Sequence, residues 1–176
     1  ASAWKTRAGH NTPSPLSAGR GARHRPPPTK SVPPAGASHS GVELHGFLSY
    51  LVHVAVHRKS YTIYGYKGKQ VRDQIECSDV VKAFESFAKA PRPGEVYNIG
   101  GGRQNAASVL ECITMIREIG GYELDYTLSN EARKGDHICY ISDLSKFRQH
   151  YPEWDITVSL QEILATMIQA EESKLS

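Results

Sequence analysis

From residue 41 onward the apolar residues change period in blocks, and each block predicts one element. Leu44, Phe47, Leu48, Leu51 and Ala55 recur at helical spacing behind a Ser40-Gly-Val-Glu43 capping box, which predicts a helix at about 42–57. Tyr61-Thr-Ile-Tyr-Gly65 is β-branched and aromatic and closed by glycine, the pattern of a short strand. A turn through Lys67-Gly68-Lys69 leads to a second strand, Val71 to Cys77. Ser78-Asp79 then caps a helix whose Val80, Val81, Phe84, Phe87 and Ala88 would face inward, ending before Pro91. Glu95 to Ile99 reads as a strand stopped by Gly100, Gly101 and Gly102.

Beyond the glycines, Ser108 and Glu111 form a second capping box, for a helix with Val109, Cys112, Ile113, Ile116 and Ile119 inward, ended by Gly120-Gly121. Leu124 to Leu128 is a strand, and Asp143 to His150 a short helix stopped before Pro152. A third capping box, Ser159 with Glu162, opens a helix carrying Leu160, Ile163, Leu164, Met167 and Ile168. This order defines an α/β domain with a small mixed sheet and flanking helices. No Gly-x-Gly-x-x-Gly or Gly-x-x-Gly-x-x-Gly turn joins a strand to a helix, and there is no P-loop.

Composition separates this domain from what precedes it. Residues 1–40 hold seven of the ten prolines and show no apolar periodicity, so residues 1–38 are expected to be a disordered tail and 39–176 the folded lobe. An Arg- and Ser-rich, acid-free start fits a transit peptide, a nucleic-acid-binding arm, or a mis-started reading frame. A first residue of Ala also fits a processed or truncated product. The net charge of +3 comes from this segment, which has six basic residues and no acidic one. The remainder has 15 basic and 18 acidic residues, a net of −3, and no nucleic-acid footprint. Three scattered cysteines (Cys77, Cys112, Cys139) read as small core residues and suit a reducing, cytoplasmic setting. The apolar stretch Leu44–Val56 is too short and too polar to span a bilayer, so no membrane partner is expected.

Two arginines carry the candidate chemistry. A guanidinium offers a planar fork of donors that matches phosphate oxygens. Arg72 follows the Gly-Lys-Gly turn, and Arg133 precedes Gly135-Asp136. The alternative is a surface ion pair with Asp73 or Asp136. Asn98 to Gly102 is either a ligand-facing loop or a tight strand-to-helix connection. Tyr64 either stacks on a base or fills the core. His53 and His57 lie four apart on one helix face, but no third metal ligand is placed by spacing, so no metal is expected. His137 suits a structural or substrate-hydroxyl contact. No nucleophile–base constellation can be assembled, and no catalytic residue is assigned.

Taken together, several of these stretches resemble the C-terminal part of NAD-dependent epimerases/dehydratases of the extended short-chain dehydrogenase/reductase family. They are Ser40-Gly-Val-Glu-Leu-His-Gly-Phe-Leu48, Tyr61 to Asp73, Val96-Tyr-Asn-Ile-Gly-Gly-Gly102 and Gly135-Asp-His-Ile-Cys-Tyr140. The resemblance implies an isomerase lineage that acts on nucleotide sugars, here a CDP-linked sugar. It implies that Arg72 contacts the diphosphate and that Arg133 reaches the diphosphate or ribose. Tyr64 would lie near the base, and Gly46 and Phe47 would offer backbone to the nucleotide. In such enzymes NAD sits in an N-terminal Rossmann half with a Tyr-x-x-x-Lys pair. Neither is found here, so no cofactor is expected on this chain alone, and it should not turn over without a partner half. A homo-oligomer, a ligand-free gene fragment and an interaction module remain as alternatives.

Overall fold

The computed structural model describes residues 46–132 and 136–175. The expected tail 1–38, the start of the first predicted helix and Arg133 lie outside them. The first layer is three helices. Helix α1 (Phe47–Val56) starts from Gly46, which has a left-handed φ of 77° and no capping side chain. It is buried almost all round, with Leu51, Val52, Val54 and Ala55 wholly inaccessible. It packs on α3 (Val109–Gly120) and α5 (Leu160–Glu172), whose Cys112, Ile116, Leu164 and Ile168 complete one core. Each fully buried leucine or isoleucine there contributes about 2 kcal/mol.

Both capping boxes on α3 and α5 form as expected. The Ser108 and Ser159 hydroxyls accept from the N–H of Glu111 and Glu162, and each glutamate accepts back from the serine N–H. Helix α3 closes on Gly121 in the left-handed conformation. Its Ile119, expected inward, is 39% exposed because it falls on the last, outward-turned part of the helix.

Instead of one sheet there are two. Strand β1 (Tyr61–Tyr64) pairs in parallel with β4 (Tyr126–Ser129). Strand β2 (Val71–Asp73) lies between β3 (Ala106–Ser108), antiparallel, and β5 (Cys139–Tyr140), parallel. The break comes from the connection between β1 and β2. Four successive residues, Gly65, Tyr66, Lys67 and Gly68, all have positive φ, so the chain turns sharply instead of continuing one ladder. At Gly68 a Cβ would meet Leu110 Cγ at 2.9 Å, so the turn is also packed down on α3.

Helix α2 (Cys77–Lys89) begins before the predicted Ser78-Asp79 cap, with Glu76 as N-cap accepting from the Ser78 N–H. Asp79 is instead inside the helix and fully buried. Its carboxylate accepts from Thr157 N–H (2.9 Å), Thr157 Oγ1–H (2.6 Å), Val158 N–H (3.2 Å) and Lys82 Nζ (3.1 Å). Trp154 Nε1 donates to its carbonyl at 2.9 Å. This polar anchor rotates the helix, so that Asp79 and Ala83 face inward while Val81 (52%) and Phe84 (66%) face out. The expected apolar face is corrected accordingly. A second, aromatic core forms between α2 and α4 (Ser145–His150) from Ala83, Leu144, Phe147, Tyr151 and Trp154.

The predicted strand Glu95–Ile99 pairs with no strand among the described residues. Its alternation is real in another sense: Tyr97 and Ile99 pack against the aromatic core while Val96 is 79% exposed. Of the cysteines only Cys112 is in the core, where burial pushes its thiol up to about 12. Cys77 is half-buried and Cys139, on a short edge strand, is exposed. Among the described residues no helix is long and apolar enough to cross a membrane.

Candidate functional site

The end of β1, the start of β2 and the first residue of α1 meet at a cleft of about 100 Å³. It is lined by Phe47, Tyr64, Gln70, Arg72 and Asp136, backed by Ile63 and Val109. Each lining group arrives there for a local reason. Phe47 is the first residue of α1, thrown toward the cleft by the left-handed Gly46. Tyr64 is the last residue of β1. Gln70 and Arg72 follow the left-handed turn, with Arg72 in the central strand of its sheet.

The Arg72 guanidinium donates through Nη2 to Asp136 Oδ1 at 2.5 Å and through Nη1 to the Val71 carbonyl at 2.7 Å. Both side chains are about four-fifths buried, at 21% and 22% exposure. The ion pair that local sequence allowed is therefore present with Asp136, and it holds the planar fork at the cleft. Asp73 has a different task. Its Oδ2 accepts from the Gly102 N–H at 2.8 Å and the Ser142 N–H at 3.0 Å, on the other side of the strand.

That geometry decides between the two readings of the glycine run. A Cβ on Gly100 would lie 2.1 Å from Ser142 Oγ, and one on Gly101 would lie 1.9 Å from the Gln74 carbonyl oxygen. Gly100 is packed against Ser142 and Gly101 against the chain after β2, which makes the run a tight connection and not a ligand loop. They lead into a 3₁₀ turn (Arg103–Asn105) and β3, so they make no strand–glycine–helix cradle of the kind that holds a dinucleotide pyrophosphate.

Gln70 is a site residue that sequence reasoning missed. Its Nε2 donates to the Tyr64 carbonyl at 3.2 Å, which fixes the amide orientation. Its Oε1 is then buried with no partner among the described residues. A buried acceptor at a cleft wall is costly unless a guest donates to it. Nothing in the local pattern marks this glutamine; only the folded turn shows it. His137, by contrast, is exposed and lies beside Tyr140, the rings tilted at 38° with centroids 6.1 Å apart, outside the cleft lining. Ala132, the residue before Arg133, packs on Gly65, where a Cβ would come within 2.8 Å of its Cα.

No protein-family model matches the chain. Its fold is that of the C-terminal part of nucleotide-sugar epimerases of the extended short-chain dehydrogenase/reductase type, enzymes that use NAD. Among solved structures, MoeE5 in complex with UDP-glucose and NAD superposes with a TM-score of 0.65 and 31% identity, over 74% of this chain and 42% of its own. UDP-glucose 4-epimerase of Thermotoga maritima, solved with UDP-glucose, gives 0.63 and 30%, over 74% and 40%. Among curated proteins the chain is similar to CDP-paratose 2-epimerase of Salmonella typhi. It is 28% identical over 106 residues, 59% of this chain and 30% of its own length. The chain spans less than half the length of these relatives.

Proposed function

We propose that the folded lobe binds a nucleotide sugar, in the lineage of CDP-paratose 2-epimerase, and supplies the grip on the diphosphate sugar rather than the redox chemistry. The observation that carries this reading is the convergence on one cleft of a pinned arginine fork and a buried amide oxygen with no partner among the described residues. The fork suits a phosphate oxygen. Gln70 Oε1 suits an N–H or hydroxyl of the guest. Gly46 has no side chain to cap α1, so among the described residues no side chain caps the first-turn N–H groups behind Phe47, and they suit an anionic acceptor as well. Arg133 and His137 stand as further contacts, and Tyr64 as the flat face beside a base.

A site that encloses a ligand of this size runs to roughly 300–1,000 Å³. The cleft is smaller, which fits one wall of a shared site. On this reading the chain does not epimerise by itself, because in the family NAD takes and returns the hydride while the protein positions the sugar. Incubation with NAD and CDP-paratose is expected to give no tyvelose, and measurable turnover would overturn that part.

Binding is tested separately by calorimetry with CDP- and UDP-sugars. Arg72→Ala is expected to weaken it by ~1.5–3 kcal/mol, as for a charge-assisted hydrogen bond. Equal affinity in variant and parent would reject Arg72 as a phosphate contact. A preference for CDP over UDP would place the base.

A second reading, a lobe that holds no ligand and only docks, is favoured by exposed Val81, Phe84, Leu128, Ile138 and Tyr140. Saturating amounts of nucleotide sugars that leave every amide resonance unmoved would support it.

A further inference from the structure

Away from the cleft, at the other end of α1, three potential ligands converge. Phe47 opens α1 at the cleft and His57 caps its far end, a helix length of about 15 Å. His53 and His57 lie one turn apart with ring centroids 4.2 Å from each other. From α5, Glu171 turns inward and is 7% exposed. Its Oε2 lies 3.1 Å from His53 Nδ1 and 3.3 Å from His57 Nε2. The three donor atoms are all within 4.8 Å of one another.

We infer that His53, His57 and Glu171 form a binding site for a divalent transition-metal ion of the Zn²⁺ class, joining α1 to α5. Zn²⁺ takes imidazole nitrogen and carboxylate oxygen at about 2.0–2.2 Å in a tetrahedron, which puts neighbouring donors on the order of 3.3 Å apart. Both nitrogen–oxygen separations already meet that requirement. The two histidines on one helix need only a rotamer adjustment to bring their nitrogens to the same centre. Imidazole donors select Zn²⁺, Ni²⁺ or Cu²⁺ over Mg²⁺ or Ca²⁺, which prefer all-oxygen sites. The fourth position is left for water.

The surrounding charges set the conditions. Lys174 Nζ holds the other carboxylate oxygen, Oε1, at 2.5 Å, and so orients Glu171 with Oε2 toward the imidazoles. Lys59 Nζ is 3.2 Å from His53 Nε2, which places the proton of His53 on Nδ1, facing Glu171. Metal binding at Nδ1 displaces that proton, and the imidazole then carries its hydrogen on Nε2. Lys59, whose side chain is exposed, gives up the contact and turns to solvent.

The test is calorimetric titration of the full chain with ZnCl₂, together with Co²⁺ absorption and thermal melts. One equivalent should bind, with Co²⁺ d–d bands and no thiolate charge-transfer band, and with a rise in Tm. His53→Ala, His57→Ala and Glu171→Gln should each weaken binding about tenfold or more. His150→Ala, on α4 beside Tyr97, should leave it unchanged. Circular dichroism of the metal-free variants checks that each is folded. The site is rejected if no ion binds, or if binding persists in the three folded variants, or if a thiolate band shows that cysteine is the ligand.

Discussion

At the scale of single residues, Asp79 and Arg72 show how neighbours assign a charged side chain its task. Burial by itself would raise the Asp79 pKa. The hydrogen bonds from Thr157, Lys82 and Val158 outweigh that and hold it below the usual 3.8. Its folded pKa is depressed, so its contribution is complete above the unfolded value and is lost as pH falls through the folded one. Acid titration should show the lobe losing stability below about pH 4, and less steeply in Asp79→Asn. Asp79→Ala removes the acceptor of two partly buried N–H groups and a hydroxyl, and should cost about 2 kcal/mol in urea unfolding.

Arg72 is likewise defined by its partner. Asp136 aims the fork but competes with a phosphate for it. Asp136→Asn keeps the shape and removes the competing charge, and should tighten nucleotide-sugar binding severalfold by calorimetry; weaker binding would mean that Asp136 itself contacts the guest. Sequence pattern could flag Arg72, since arginine after a glycine turn is a recognisable motif. It could not flag Gln70 or the inward turn of Glu171. Gln70 owes its position to the left-handed turn that folds it back on Tyr64, and Glu171 to the packing of α5 on the distant α1. The i, i+4 spacing of His53 and His57 was visible, but their third partner lies on the last helix.

At the scale of elements, the helices were legible because their ends are written in local chemistry. The capping boxes at Ser108 and Ser159 fall where expected. Ser108→Ala and Ser159→Ala should each cost about 1 kcal/mol of stability. Helix α2 was found, but its facing was not. Hydrophobic periodicity assigned Phe84 inward, whereas a buried carboxylate with four donors turned it out. The strands were harder. β3 and β5 hold only three and two residues, too short to show a period, and exist because β2 lies between them. Glu95–Ile99 shows the converse: its alternation reports one buried side, not a hydrogen-bonded neighbour. The glycine run is a matter of space. Gly101→Ala would drive a Cβ to 1.9 Å from the Gln74 carbonyl oxygen and should destabilise by about 3 kcal/mol in thermal or urea melts.

At the scale of the whole molecule, the α/β class was readable from element order, while the division into two sheets was not. That division follows from the left-handed turn at residues 65–68, which includes two non-glycine residues, Tyr66 and Lys67. The exposed apolar side chains of α2, β4 and the segment around β5 belong to this scale too. Light scattering should show self-association that falls when Val81 and Phe84 are replaced by lysine and glutamate. No change in association would show that this face is simply solvated.

The pairing of the strands has one more consequence. β1 meets β4 through Tyr61 and Tyr126, and β2 meets β5 through Val71 and Cys139. Every ladder therefore closes a long loop, which slows folding. On the ribosome, β2 has no neighbour until residues 106–108 are made, and β1 none until the chain has passed residue 126. Their amides should gain protection from solvent exchange late and in that order, β2 before β1, in arrested chains of increasing length.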